Sequence, residues 1–580
     1  MFLLRSKVKQ IFRNRRAQVG EETRSSETGK PAIKSASTIA PNNLEKPERR
    51  LTLLLISTAI IFALVGTTLG ALTLAHISGL PTSLGLGLFP AHPYVQIYGF
   101  VAEFVLGVAY SLIPRFKGAS LPKFRLGYLT YILLTLANLL FLSAPILVSS
   151  DRIILTLAPV LIFLASVVFG YQVSLLAFRP VGGFPETNLL IILSPVSLAL
   201  ISFLLALISL GVLNQDAFST GMIFLSLAGF AGSMIYTVEI RSVSFRQCNY
   251  RKNFARLSGY LQASAIGASF LAILLSIRAL TLAGALLYLA SALSVISSLR
   301  IFELAHPLMY RPAMTKSHFM IVRYNEVCIL SASIWLLFGC VLGVSMPLAG
   351  VDAYFIRDSF IHSIAIGFIG SVITCFAPIL LPGLLGRKAP ITGLSFWPIA
   401  LLNAGILLRV AGNFDSLIVG KLPVWESASG PLVIAAIISV LVMLPRIGKA
   451  QPKPSTHETG SRPASAESIR NERDATLTVF GRKSNREIQV PLWFAEKQGT
   501  LYFLPRYGKS TEWYRNVQVN ATMRVRIRDR TFTGKANLIV EKGQVRNAVK
   551  LFKDKYGDRV YRNTYGDKVD CAVALLNASQ

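Results

Sequence analysis

The chain has 580 residues, 52% of them hydrophobic and only 15% charged, with a mean hydropathy of +0.53; this composition excludes both a soluble globular protein and a disordered one. The formal charge of +30, from 59 Lys and Arg against 29 Asp and Glu, would suggest nucleic acid as a partner in a soluble chain. Loops held on the cytoplasmic side of a membrane produce the same excess, so the placement of the charge decides.

Residues 1–50 open with three apolar residues after the first Met and then carry twelve Lys and Arg against five Glu. They contain no apolar run that a signal peptidase would recognise and are read as a basic cytoplasmic arm. From 51 to 446 apolar stretches recur, each long enough to cross a hydrocarbon core of about 30 Å as a helix. They divide into twelve spans: 51–75, 94–113, 127–148, 153–177, 188–213, 220–240, 258–276, 280–297, 325–348, 359–382, 391–411 and 428–445. Loops after even-numbered spans hold sixteen basic residues, among them Arg115, Lys117, Arg241 and Lys316; loops after odd-numbered spans hold only Arg152, Arg278, Arg357, Lys421 and the span-end Arg409. The expectation is a multi-pass protein of the cell membrane with the lipid bilayer as its main partner, both termini cytoplasmic, and no nucleic acid.

Residues 447–474 change to Pro, Ser, Thr, Lys and Glu without hydrophobic period, a linker composition. In the cytoplasmic domain that follows, 475–580, strands are expected at Thr476–Phe480, Glu487–Phe494, Thr500–Leu504, Met523–Ile527, Thr531–Val540 and Val569–Leu576, with an amphipathic helix at Glu541–Tyr556. The fold class is therefore a polytopic α-helical membrane bundle plus a small, mainly β barrel. Cys248, Cys328, Cys340, Cys375 and Cys571 form no C-x-x-C, so neither a zinc ribbon nor a covalently attached c-type heme is indicated.

His92 and His362 open the second and tenth spans, both running inward from the outer face, and could share one ligand buried in the bundle. The same two spans share a frame: Gly99-Phe100 with Pro114 and Gly118, and Gly367-Phe368 with Pro382 and Gly386 at identical spacing. Gly229-Phe230 repeats the pair in the sixth span without the proline. Spans two, six and ten are four helices apart, which predicts three quasi-equivalent arcs. Read alone, His92 before Pro93 could equally be an interfacial cap and His362 a packed polar side chain. Glu103 follows His92 by eleven residues, which in an α-helix returns it to within about 20° of the same face; it is either a protonated structural carboxyl or a step in a proton path. His76 is expected to cap the first span, and His306 and His318 to lie on the cytoplasmic side.

Twelve spans in three arcs, with His92-Pro-Tyr-Val-Gln-Ile-Tyr-Gly-Phe, His362-Ser-Ile-Ala-Ile-Gly-Phe and Leu402-Asn-Ala-Gly-Ile-Leu-Leu-Arg409, resemble heme-copper oxidase subunit I and the smaller NnrS-type heme proteins linked to nitric oxide. The resemblance implies a low-spin heme b held by His92 and His362. The oxidases' copper-ligating histidines and second heme ligand have no counterpart here, so an oxygen-reducing centre is not expected. Arg409, near the outer end of span eleven, would then hold a heme propionate or else be an interfacial arginine.

In the tail, Gly481-Arg-Lys-Ser-Asn-Arg486 and Gly508-Lys-Ser-Thr-Glu-Trp-Tyr-Arg-Asn516 are similar to the flavin/deazaflavin split-barrel family, which includes deazaflavin-dependent nitroreductases. That resemblance implies a cradle in which Arg482, Lys483, Ser484, Lys509, Ser510 and Thr511 contact phosphate while Trp513 and Asn516 position the turn. The cofactor is FMN or the deazaflavin coenzyme F-420, with Trp493 and Tyr502 as candidates to flank its ring. The leading expectation is a membrane oxidoreductase joining a bis-His heme domain to this reductase, with a quinone or other small redox substrate. A non-enzymatic transporter or sensor with a regulatory barrel is the alternative.

Overall fold

The computed structural model describes residues 46–443, less 82–85, 118, 147–150, 179–184, 214–218, 247–249, 304–315, 350–353 and 385–390. It also describes 472–575, less 473, 483–486, 506–507, 528–529, 559–560, 562–564 and 566–568. The arm to residue 45, nearly all of the linker, Cys248, His306, Lys483, Ser484 and the frame residues Gly118 and Gly386 lie outside the described residues.

Among the described residues twelve helices are long and apolar enough to cross a membrane: Glu48–Ile77, Phe89–Phe116, Arg125–Ser143, Ile153–Ala177, Pro185–Ser209, Thr220–Ser242, Lys252–Leu275, Arg278–Leu299, Met320–Leu348, Tyr354–Pro382, Gly393–Val419 and Val424–Met443. Spans two, six and ten are 89%, 100% and 72% buried in their apolar windows, whereas the other nine are 28–56% buried. The three repeat-bearing helices are thus the inner ones, and the remainder have lipid-facing apolar sides.

The repeated Gly-Phe pairs explain this placement. Each lies within a π-helical segment, Val95–Ala102, Phe224–Gly232 and Ser363–Gly370. Such segments are rare and favour functional sites. At each glycine the first span of an arc packs where a Cβ would stand: Phe62 of span one against Gly99, Ser197 of span five against Gly229, and Trp335 of span nine against Gly367. Spans 1–4, 5–8 and 9–12 are accordingly three arcs built on one plan. An apolar cleft between the inner helices is lined at equivalent positions, including Phe104 and Val108, Met234 and Val238, and Val372 and Phe376.

Several spans start before the hydropathy estimate, span seven by six residues and spans two, nine and ten by five. Span two begins at Phe89, ahead of His92, and span ten at Tyr354, more than two turns before His362. Both histidines are therefore inside helices. Span eleven likewise continues to Val419. Polar residues such as Arg357 and Asp358 lower the hydropathy of these turns, but their backbones remain helical.

The tail is an antiparallel sheet of seven strands: β1 Asp474–Phe480, β2 Glu487–Trp493, β3 Ala495–Lys497, β4 Thr500–Phe503, β5 Thr522–Ile527, β6 Arg530–Ile539 and β7 Ala572–Leu575. Their order is β2-β1-β5-β6-β7-β4-β3. Strand β5 alternates exposed and buried residues throughout, so that Met523, Val525 and Ile527 enter the core beside Leu477 and Val479 of β1. A second core under the helix Lys542–Tyr556 gathers Val545, Phe552, Tyr556, Tyr561 and Tyr565. Each expected strand and the expected helix is present within a few residues, and β3 is an addition.

Candidate functional site

His92 and His362 come from different inner helices and face one region of the bundle. His362, Arg409 and Asp358 are close enough to His92 to act on it electrostatically. The two imidazoles are anchored alike. His92 Nδ1 lies 2.7 Å from the main-chain oxygen of Gly66 in span one, and His362 Nδ1 lies 2.9 Å from that of Asp358. A carbonyl only accepts, so each Nδ1 carries a proton, and in the neutral form of either ring the lone pair is on Nε2. Among the described residues neither Nε2 is hydrogen-bonded. His92 is half-buried. Two imidazoles held through Nδ1, with Nε2 free of hydrogen bonds, are a donor set that fits a six-coordinate heme. Gly70 contributes by omission: a Cβ there would lie 2.5 Å from His92 Cε1, so only glycine lets span one approach the ring so closely.

Around His362 the structure assembles a network of which the sequence supplied only one member. Arg409 grips Asp358 with two nitrogens, Nε to Oδ2 at 2.7 Å and Nη2 to Oδ1 at 2.8 Å. Asn413 Nδ2 donates to Oδ2 at 2.6 Å, and Asp358 Oδ1 stands 3.2 Å from His362 Nδ1. The remaining Arg409 nitrogen, Nη1, is 3.4 Å from Oε1 of the fully buried Glu426. The guanidinium expected to hold a heme propionate is therefore already engaged by two carboxylates. Asp358 was signalled in the sequence by its place one helical turn before His362; Asn413 and Glu426 carried no comparable signal.

Glu103 departs from its expected direction. The π-helical segment Val95–Ala102 separates it from His92, and each π turn takes up an extra residue, so α-helical phase does not carry across. Glu103 turns toward span three, where Thr135 Oγ1 donates to its Oε1 at 3.0 Å, while His92 turns toward span one. Its Oε2 and the Oδ1 of Asn138 are buried without a hydrogen-bond partner. Rings from three spans meet in the interior: Phe224 stacks on Tyr288 at 4.9 Å and meets Phe360 at 4.8 Å.

In the tail the two signature turns meet through Asn516. Its Oδ1 accepts from the Arg482 main-chain nitrogen at 3.3 Å and from Arg482 Nη1 at 3.2 Å. Arg482 Nη1 also pairs with Glu512 at 2.7 Å. Gly508 has a φ of +55°, which allows the tight turn that presents the exposed Lys509 and Ser510 ahead of the helix Glu512–Val519. The Lys509 main-chain nitrogen donates to Asp570 at 3.1 Å, and Trp513 and Asn516 are buried beneath the turn. Burial pushes both the Tyr514 hydroxyl and the Cys571 thiol up to about 12, so both stay protonated at neutral pH. One face of the Trp493 ring is covered by protein. Tyr556 stacks on it at 4.5 Å and Tyr565 abuts it edge-on, because the long tail helix packs over that side of the sheet.

Residues 50–446 match the family model described as "Domain of unknown function (DUF8744)", and residues 461–573 match the family of quinone reductases dependent on reduced coenzyme F-420. No curated protein matches the chain. Among solved structures, an F420-H2 dependent reductase (FDR-A) is 22% identical with a TM-score of 0.16, the match covering 18% of this chain and 93% of that one. A conserved hypothetical protein from Mycobacterium tuberculosis is 16% identical, with a TM-score of 0.18, over 21% of this chain and 87% of its own. A heme-copper terminal oxidase dimer is 12% identical, with a TM-score of 0.47, over 69% of this chain and 83% of that chain.

Proposed function

The chain belongs to the DUF8744 family, and we propose that it is a membrane-bound oxidoreductase: a bis-His heme b domain joined to a cytoplasmic reductase domain that uses coenzyme F-420 and a quinone. The observation that carries the heme reading is the matched anchoring of His92 and His362, each Nδ1 tied to a main-chain oxygen and each Nε2 left for a metal. His92 and His362 would hold the heme, which would supply one-electron transfer. The match of residues 461–573 to quinone reductases dependent on reduced F-420 favours the deazaflavin over FMN. Lys509, Ser510 and Thr511 would hold its phosphate ahead of the helix Glu512–Val519, and Asn516 would keep the Arg482 turn in place beside it.

The purified protein should show a sharp Soret band and split visible bands of a low-spin heme. His92→Ala and His362→Ala should each abolish or convert that spectrum. Colourless protein after saturation with heme, or unchanged spectra in both variants, would sink the heme reading. Reduced F-420 should be oxidised by the full chain in the presence of a soluble quinone.

A further inference from the structure

Asp358 reaches His362 twice, through its main-chain oxygen at 2.9 Å and its carboxylate Oδ1 at 3.2 Å from the same Nδ1. Among the described residues no carboxylate lies at hydrogen-bond distance from His92; its Nδ1 meets the neutral carbonyl of Gly66 at 2.7 Å. The Asp358 carboxylate is in turn fixed by the paired Arg409 contacts at 2.7 and 2.8 Å and by Asn413 at 2.6 Å. Arg409 is therefore the counter-charge that decides how much of the Asp358 charge is felt at the imidazole. A carboxylate behind a ligating histidine raises the ligand's basicity and favours the oxidised metal, while a cation beside that carboxylate opposes it.

We infer that Asp358 and Arg409 act as an opposed pair of positioning residues that set the reduction potential of the site through His362. This rests on the proposed ligation of heme by His362. Neither is proposed as a ligand: Asp358 contacts the His362 ring, and Arg409 contacts Asp358. The pairing makes the two arcs unequal, with the His362 side electron-rich and the His92 side neutral.

The test is a redox titration of the full chain in detergent, with the low-spin spectrum followed against potential. Asp358→Asn keeps the side chain's size and removes the negative charge, and should favour the reduced heme by about tenfold, which is 59 mV for a one-electron couple. Arg409→Gln removes the opposing charge and should shift the equilibrium the other way by a similar factor. If Asp358→Asn does not retain heme, Glu426→Gln replaces it as the charge-removing variant: the Glu426 carboxylate faces Arg409 Nη1 at 3.4 Å, so the shift should have the same sign and be smaller. A pair that only braces the helices would change stability and heme content without opposite shifts. Two charge variants that keep the low-spin spectrum and move the potential in the same direction, or leave it unmoved, overturn the inference while the ligation stands. A wild-type protein without the low-spin spectrum, or one whose spectrum survives His362→Ala, overturns the ligation and the inference together.

Discussion

Gly70→Ala separates the geometry of the His92 site from the ligand itself. The added Cβ would lie 2.5 Å from His92 Cε1, 2.9 Å from Nδ1 and 3.1 Å from Nε2, where ordinary contact begins at 3.4 Å. The ring or span one must therefore retreat by about 1 Å, twice the roughly 0.5 Å that a preorganised site tolerates. The retreat stretches the 2.7 Å bond from Nδ1 to Gly66, worth about 0.5–1.5 kcal/mol. Against this, Ala is favoured over Gly inside a helix by about 1 kcal/mol. The two effects nearly cancel in stability but not in position, so the variant should fold normally and lose or convert the low-spin spectrum. Gly267→Ala is the control, because no atom stands within 4 Å of its Cβ position. Absorption spectra, heme per protein and thermal midpoints of both variants decide the matter. A Gly70→Ala protein with the spectrum and heme content of Gly267→Ala would refute the placement of His92.

Lys509→Glu should weaken deazaflavin binding by roughly 2–4 kcal/mol and leave the tail's urea midpoint within about 0.5 kcal/mol, because Lys509 is exposed; equal affinity in wild type and variant would mean that the turn holds no phosphate. Asn516→Ala should lower stability by about 1–3 kcal/mol, since the Arg482 main-chain nitrogen loses its acceptor, and an unaltered midpoint for the tail expressed from about residue 470 would contradict that role. Reduced F-420 added to the full chain should reduce heme only when a soluble quinone is also present, and stopped-flow reduction at the same rate without quinone would show that the two cofactors exchange electrons directly.

The spans, their order and the tail's strands were legible because each rests on a strong local signal: unbroken apolar length in the membrane part, and alternation such as Thr522–Ile527 in the barrel. The three-arc plan was legible from the spacing of Gly-Phe pairs, although the cause, an outer span packed on each glycine, appears only in three dimensions. What was lost sits at helix ends. Hydropathy trims polar turns, so Asp358 fell into a loop and Asn413 beyond the end of span eleven, while Glu426 lies in the short turn that opens span twelve. Arg409 was visible, but without those partners its charge looked available to a propionate. The direction of Glu103 was misjudged for a different reason, because π-helical phase cannot be read from a sequence that is apolar on all sides. The covered face of the Trp493 ring was not legible because its cover, Tyr556, comes from a helix distant in the chain.

The repeat also explains why three similar arcs would hold one heme. Counted back from Gly99, Gly229 and Gly367, the position of His92 is occupied by Met222 in the second arc and Phe360 in the third, while the position of His362 is occupied by Tyr94 and Phe224. The two histidines are therefore two residues out of register within the shared Gly-Phe frame. An imidazole at both equivalent positions in every arc would crowd the axis with six ligands. The four substitutes pack instead: Tyr94 stacks on Phe141 at 4.4 Å, Phe224 joins Phe360 and Tyr288, and Met222 is buried. Those rings fill the interior beside the middle arc with apolar surface, whereas the two remaining imidazoles are left with glycine on one side, at Gly70, and an ion pair on the other, at Asp358 and Arg409. The polar groups around the two imidazoles therefore come from spans one, ten and eleven, through Gly66, Asp358, Arg409 and Asn413.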